Sequence, residues 1–396
     1  MIVHAMLERP DMAPFIASKM MKLTLRYGLC FVSPLVFGIF GMLCIGAMSD
    51  REMAFRFGEL ALELIETLEV PEYVPRVYAI YYACIHPWKY PISESFEHLI
   101  YAHQIGLQTG DIEFSYMCAS LWYLQACDVG IPLDEIEAQW AYFHNRLRSC
   151  RLKSLQNVIR PTTLYINFNR GQIVDLDELD SLLQSTAKNG QHTAHDLLLW
   201  TKAENALLYN EWEQADKIAC SAGLSSNFWK VPRSFDVVNL TFVNGMIAFA
   251  CLRDDYKGIK LRKRRQYLRE GNAMLRSLRV YARLCPVNFI HKKLLLEAER
   301  AALFGQSHLA IEKYICAIGT AREYRNLTAL AWANERYGHY CFNILNRADD
   351  AVSHFNQALL SYGKWKGQRK VDLLRADLMD YYGKDKFEQY FLEASS

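Results

Sequence analysis

Along almost the whole chain apolar residues return every three to four positions, and nowhere do they alternate every second position for more than a few residues. A period near 3.6 winds the apolar residues onto one stripe of a helix, whereas a strand needs a period of 2, so the chain is expected to be all-α. REMAFRFGELALELIETL (51–68) places Met53, Phe57, Leu60, Leu64 and Leu68 on one stripe. LLLEAERAALF (294–304) does the same with Leu294, Ala298, Ala301 and Ala302. Short polar breaks carrying Gly, Asn or Asp interrupt this pattern at intervals of roughly 15 to 25 residues. Paired into hairpins, about 16 such helices give a repeat of about 35 to 45 residues, the range of helical solenoids.

A finer regularity accompanies the breaks. Ala310, Tyr314 and Ala317 are spaced by four and then three, as are Ala351, Phe355 and Ala358, and Ala215, Ala219 and Ala222. Ala54, Gly58 and Ala61 form a fourth set, and Ser95, Leu99 and Ala102 a fifth. Each set follows a short polar turn: FGQSH, NRADD, NEWEQ, MSDRE and PISE. That spacing puts the three residues on one helix face, where small side chains let a neighbouring helix come close and a large middle residue fills the adjacent groove. It is the logic of the second helix of a tetratricopeptide hairpin. The expected organisation is a tetratricopeptide-like helical-hairpin solenoid over 12–384, with an N-terminal extension (1–11) and a C-terminal tail (385–396).

Residues 28–48, GLCFVSPLVFGIFGMLCIGAM, carry no charge. Gly28 reads as a helix stop and Ser33-Pro34 as a cap with proline in the first turn, leaving a helix over about 34–47. Fourteen residues span roughly 21 Å, short of the roughly 30 Å of bilayer hydrocarbon, so the stretch is expected to be the buried first helix of an early hairpin. Gly38, Gly41 and Ala47 suit close packing there. A membrane-anchored scaffold, with Lys19, Lys22 and Arg26 upstream of the span, is the competing reading.

Bulk charge points to no anionic partner: 45 Lys and Arg stand against 43 Asp and Glu, a net charge of +2. Neither nucleic acid nor membrane is expected as a partner. Eleven cysteines without a Cys-x-x-Cys pair read as free thiols in a reducing compartment, so the expected location is cytoplasmic. The strongest charged run is KGIKLRKRRQYLRE (257–270), taken as a loop running into a helix at 264–284. Lys260, Arg262, Lys263, Arg264 and Arg265 form a candidate patch for an anion or a partner. HTAHD (192–196) has His192 and His195 but no third ligand, and Thr193 and Asp196 suit helix capping. His98 and His103 face different directions. Asp134-Glu135, Asp349-Asp350 and DLDELD (175–180) sit where acidic residues complement a helix start. No phosphate loop, kinase catalytic triplet or nucleophile elbow occurs, so no catalytic, cofactor-binding or metal-ligating residue is assigned and no small-molecule substrate is expected.

HKKLLLEAERAALFGQSHLAIEKYICAIGTAREYRNLTALAWANERYGHYCFNILNRADDAVSHFNQALLSYGKWKGQRKVDLL (291–374) resembles the tetratricopeptide-like region of large predicted-ATPase signalling proteins. SDREMAFRFGELALEL and QTGDIEFSYMCASLWYLQACDVG extend the resemblance over about 15–383. Trp365-Lys366-Gly367 departs from the Trp-Gly-Ala expected there. The resemblance implies a scaffold that binds proteins on a concave face, among them ATPase or kinase modules. The alternative is that the chain is a fragment of such a multidomain enzyme.

Overall fold

The computed structural model describes residues 12–45, 50–147, 162–172, 176–188, 192–221, 236–253 and 260–392. Among these the fold is all-α, with 19 helices and no strand. In chain order they are α1 (Ala13–Tyr27), α2 (Ser33–Leu43), α3 (Arg51–Thr67), α4 (Val74–Ile80), α5 (Phe96–Thr109), α6 (Ile112–Val129), α7 (Leu133–Leu147), α8 (162–169), α9 (Leu176–Lys188) and α10 (His192–Leu208). There follow α11 (Trp212–Ser221), α12 (Asp236–Arg253), α13 (Leu261–Leu284), α14 (Pro286–Leu303), α15 (Ser307–Glu323), α16 (Leu327–Asn343), α17 (Ala348–Lys364), α18 (Gln368–Tyr382) and α19 (Lys384–Phe387). Helical packing continues past residue 384, where the tail was expected to begin: Phe387 and Phe391 are buried, and Asn356 donates to the Tyr390 carbonyl. Residues 1–11 lie outside the described residues.

Local chemistry sets the ends. Asp50 accepts from the Met53 amide at 3.0 Å and Asn326 from the Ala329 amide at 2.9 Å, each capping an otherwise unpaired donor of the first turn. Gly110 and Gly130 take left-handed conformations just past α5 and α6, where a Cβ would be strained.

Neighbours in sequence pair as hairpins: α2 with α3, α5 with α6, α12 with α13, α14 with α15, and α16 with α17. Alternate helices also touch, α10 with α12, α12 with α14 and α14 with α16, so the first helices of successive hairpins form an inner row. The row extends back through α8, where Tyr209 donates to Asn169 and Tyr123 meets Tyr165 edge-on.

The row also returns upon itself. Asn288, at the start of α14, donates to the carbonyls of Pro87 and Tyr90, 201 and 198 residues away, and accepts from the Ile92 amide. Asn326, at the start of α16, donates to the Asp128 carbonyl, again 198 residues distant. Leu133 N donates to Trp365 O, and the Arg369 guanidinium lies 3.9 Å over the Phe168 ring. Turns within the early hairpins therefore rest on joints between the late ones.

Two expectations are corrected. In α3 the buried face carries Ala54, Phe55, Gly58, Ala61, Leu64 and Ile65, whereas Met53 is 39% exposed. Leu64 of the expected stripe is in the core and Phe57, Leu60 and Leu68 pack half-buried against it, so the departure is confined to Met53, at the outer edge of the covered face. The apolar helix at 34–47 is shorter than expected: α2 ends at Leu43, Cys44 and Ile45 form a wider turn, and 46–49, with Ala47, lie outside the described residues. Every residue of α2 except Phe40 is buried. Among the described residues one helix, α12, is long and apolar enough to cross a membrane, and 78% of it is buried inside the protein.

Candidate functional site

The described members of the small-residue triplets are buried. Ala54, Ala61, Leu99, Ala102, Ala215, Ala310, Ala317, Ala351, Phe355 and Ala358 are each at most 1% exposed, and Gly58 and Ala219 are also buried; Ala222 lies outside the described residues. A Cβ on Gly58 would stand 2.7 Å from the Tyr81 ring, and one on Gly338 would stand 2.8 Å from Phe355. Two members do more than pack. Ser95 sits in a tight turn before α5 and donates to the Ile92 carbonyl at 2.7 Å and to Gln125. Tyr314 donates its hydroxyl to Glu299 at 2.8 Å.

Glu299 is the centre of one of two buried charge clusters. Its carboxylate accepts from Arg336 at 2.8 and 3.2 Å and from Arg253, while Trp212 lies against both guanidinium groups. Burial alone would raise its pKa, but the two arginines and the Tyr314 hydroxyl outweigh that and bring it down to about 2. In the second cluster Glu335 accepts from Lys370 at 2.7 Å, Tyr362 at 2.7 Å and Asn210 at 3.0 Å. Here too burial pushes upward, yet the Lys370 ammonium and His339 hold the carboxyl well below the usual range. Both clusters join separate hairpins, and neither leaves an acceptor open for chemistry.

Between the inner helices lies a cavity of about 90 Å3. Its wall is drawn from six helices and the turn after α17: Cys127 and Asp128 of α6, Tyr165 of α8, Glu204 of α10, Asn239 and Phe242 of α12, His291 and Lys292 of α14, Trp332 of α16, and Trp365 after α17. Lys292 and Asp128 form a buried ion pair at 2.5 Å. Other polar groups of the wall have no partner: His291 Nδ1, Asn239 Oδ1, Trp332 Nε1 and Trp365 Nε1 make no hydrogen bond. Burial, reinforced by Asp128 and only partly offset by Lys292, raises the Glu204 pKa to about 7. Burial, with Lys292 beside it, keeps His291 neutral. His291, Lys292 and Trp365 fall within the stretch that carries the resemblance, but neither they nor the other lining residues were read from the sequence as a site. They share no motif, being gathered from positions as far apart as Cys127 and Trp365.

The basic run behaves differently from expectation. The helix begins at Leu261 rather than 264, so Arg262, Lys263, Arg264 and Arg265 occupy its first turns, and all four are exposed, as is Lys260. Lys263 is drawn to Asp216 at 3.2 Å. Spacing by threes and fours aligns Arg262, Arg265, Arg269, Arg276, Arg279 and Arg283 on one outer face, opposite the buried stripe of Tyr267, Gly271, Leu275, Leu278 and Ala282. Apart from Arg279, bonded to Glu297 at 2.8 Å, these arginines make no ion pair among the described residues.

The remaining candidates resolve as structure. His192 begins α10, and His195 Nδ1 lies 3.2 Å from both Thr186 Oγ1 and the Leu183 carbonyl, tying α10 to α9. His103 is buried against Ser115, while His98 stacks on Tyr82, so the two do not converge. Asp134-Glu135 and Asp349-Asp350 lie in the first turns of α7 and α17. Trp365 is buried, Lys366 takes a positive φ of 66°, and the Trp365 ring leaves no room for a Cβ at residue 367.

No protein-family model matches the chain, and neither a curated protein nor a solved structure matches it.

Proposed function

We propose that the chain is a non-catalytic helical-repeat scaffold of the tetratricopeptide-like kind, binding protein partners in a signalling setting that includes ATPase or kinase modules. The observation that carries this reading is the inner row of first helices, α10, α12, α14 and α16, in hairpins that cross through buried small residues. Such stacking is the physics of helical solenoids, which present long surfaces to partners. The signalling setting rests on the resemblance at 291–374 alone.

Contacts between early and late hairpins leave the inner face a cavity of about 90 Å3, well below the roughly 300 Å3 at which ordinary ligand pockets begin. The reading therefore places a macromolecular partner outside, on the arginine face of α13, and makes that partner acidic. Arginine's planar fork suits carboxylates, and exposed pairs of this kind steer association more than they strengthen it.

Two measurements test the proposal. Titration of the purified chain with magnesium–ATP should give no heat of binding; saturable binding would remove the scaffold reading in favour of an enzyme fragment. Binding to a separately produced acidic signalling module should weaken with added salt and with R262E/R265E/R269E. An affinity indifferent to both would remove α13 as the docking face.

A further inference from the structure

We propose that the axial cavity binds a small organic cation of the ammonium or guanidinium class, with Glu204 as its counter-ion. This goes beyond the scaffold reading, which assigns the chain no small-molecule ligand. Glu204 is only half-buried although protein surrounds its carboxylate, so its remaining surface faces the cavity. No hydrogen bond or ion pair reaches that carboxylate among the described residues. Asn239, another residue of the wall and 5% exposed, has an Oδ1 that is a second acceptor without a donor. Buried acceptors left unpaired are costly, and their natural complement is a ligand with several N–H donors.

Charge sets the sign of that ligand. Lys292 is already closed onto Asp128, so the unbalanced charge on the wall is that of Glu204. Tyr165, Phe242 and Trp332 add aromatic surface to the wall, and a ring that meets a cation with its face favours it over a neutral molecule in a desolvated site. Size sets the upper limit. A volume of about 90 Å3 corresponds to about three waters at their share of liquid volume. Methylammonium and guanidinium fit; nucleotides and peptides do not.

The test titrates the full chain with methylammonium chloride, following tryptophan fluorescence, since Trp332 and Trp365 line the cavity. Sodium chloride at equal ionic strength and the neutral acetamide serve as controls. Saturable binding is expected for methylammonium alone, weakened about tenfold or more in Glu204→Gln. Ala329→Leu, which fills the cavity from α16 without touching Glu204, should abolish binding while far-UV circular dichroism and the melting temperature stay near wild type. A cation prefers the ionised carboxylate, so affinity should rise with pH through about 7 and then level off. The groups that face Glu204 are Asp128, Lys292 and Asp236, with Tyr165, Tyr123 and Cys127. Equal binding of acetamide, unchanged affinity in E204Q, or no saturable response in the wild-type chain would overturn the proposal. The last outcome would identify the cavity as a water-filled void.

Discussion

Lys370→Met isolates what holds the last hairpins together. The Lys370 side chain is 1% exposed and the Glu335 side chain 0%, and their atoms meet at 2.7 Å. Methionine keeps the unbranched apolar stem, so the substitution deletes charge with little loss of packing. What remains is a buried carboxylate served only by the Tyr362 hydroxyl, the Asn210 amide and His339. Removing one member of a buried pair costs about 3–5 kcal/mol, because the other charge stays desolvated. With a urea slope of about 3 kcal/mol/M, the midpoint should fall by about 1–2 M with the slope unchanged. The pH dependence gives a second, sharper signature. In the wild-type chain Glu335 titrates below its unfolded value, so its contribution is present above about pH 4.5 and lost as pH falls through the folded pKa. In Lys370→Met the uncompensated burial raises that pKa above the unfolded value instead. The deficit should then be largest at neutral pH and shrink on acidification to pH 5, as the carboxyl takes up a proton. Urea melts followed by circular dichroism at both pH values measure this. A loss below about 1 kcal/mol at neutral pH, or one equal at both pH values, would refute the assignment of Lys370 as the compensating charge.

Three further outcomes test the packing. Gly338→Ala drives a methyl into the buried Phe355 ring and should cost about 1–3 kcal/mol, recoverable in part by Phe355→Leu, as measured by urea unfolding. Ala310→Leu, at a position with no exposed surface, should lower stability by a similar 1–3 kcal/mol, roughly, and an unchanged melting temperature would contradict a helix crossing there. Asn288→Ala orphans the Pro87 carbonyl and the Ile92 amide and leaves the Tyr90 carbonyl only the long Cys285 thiol contact, at about 1–3 kcal/mol for each group that water cannot reach. Hydrogen exchange should then quicken selectively around 85–95 and at the start of α14, where the early and late hairpins meet.

Helix content, most breaks and the buried small-residue faces were legible because each is written within about ten residues. The four-then-three spacing of Ala351, Phe355 and Ala358 selects a helix face whatever the rest of the chain does. In the bulky stripe of α3 only Met53 misled, because periodicity names a face but not its exact centre, and there the buried centre runs along Ala54, Gly58 and Ala61. Ser95 and Tyr314 were recognised as packing residues, while their hydrogen bonds to Gln125 and Glu299 depended on partners in other helices.

The cavity was not legible at all. Glu204 in its local context, TKAENALL, looks like any polar residue on an amphipathic helix. Its meaning comes from Asp128, Asn239, Lys292 and Trp332, which reach it only after the array has returned upon itself. By itself, then, the sequence determined an all-α chain of paired helices and the small residues that those helices bury, since local periodicity and side-chain size suffice for both. Tertiary structure alone decided that Asn288 meets Pro87 and Tyr90, that Asn326 meets Asp128, and that an unpaired carboxylate faces the space between. Those contacts join residues about 200 positions apart, and no local stretch encodes so distant a meeting.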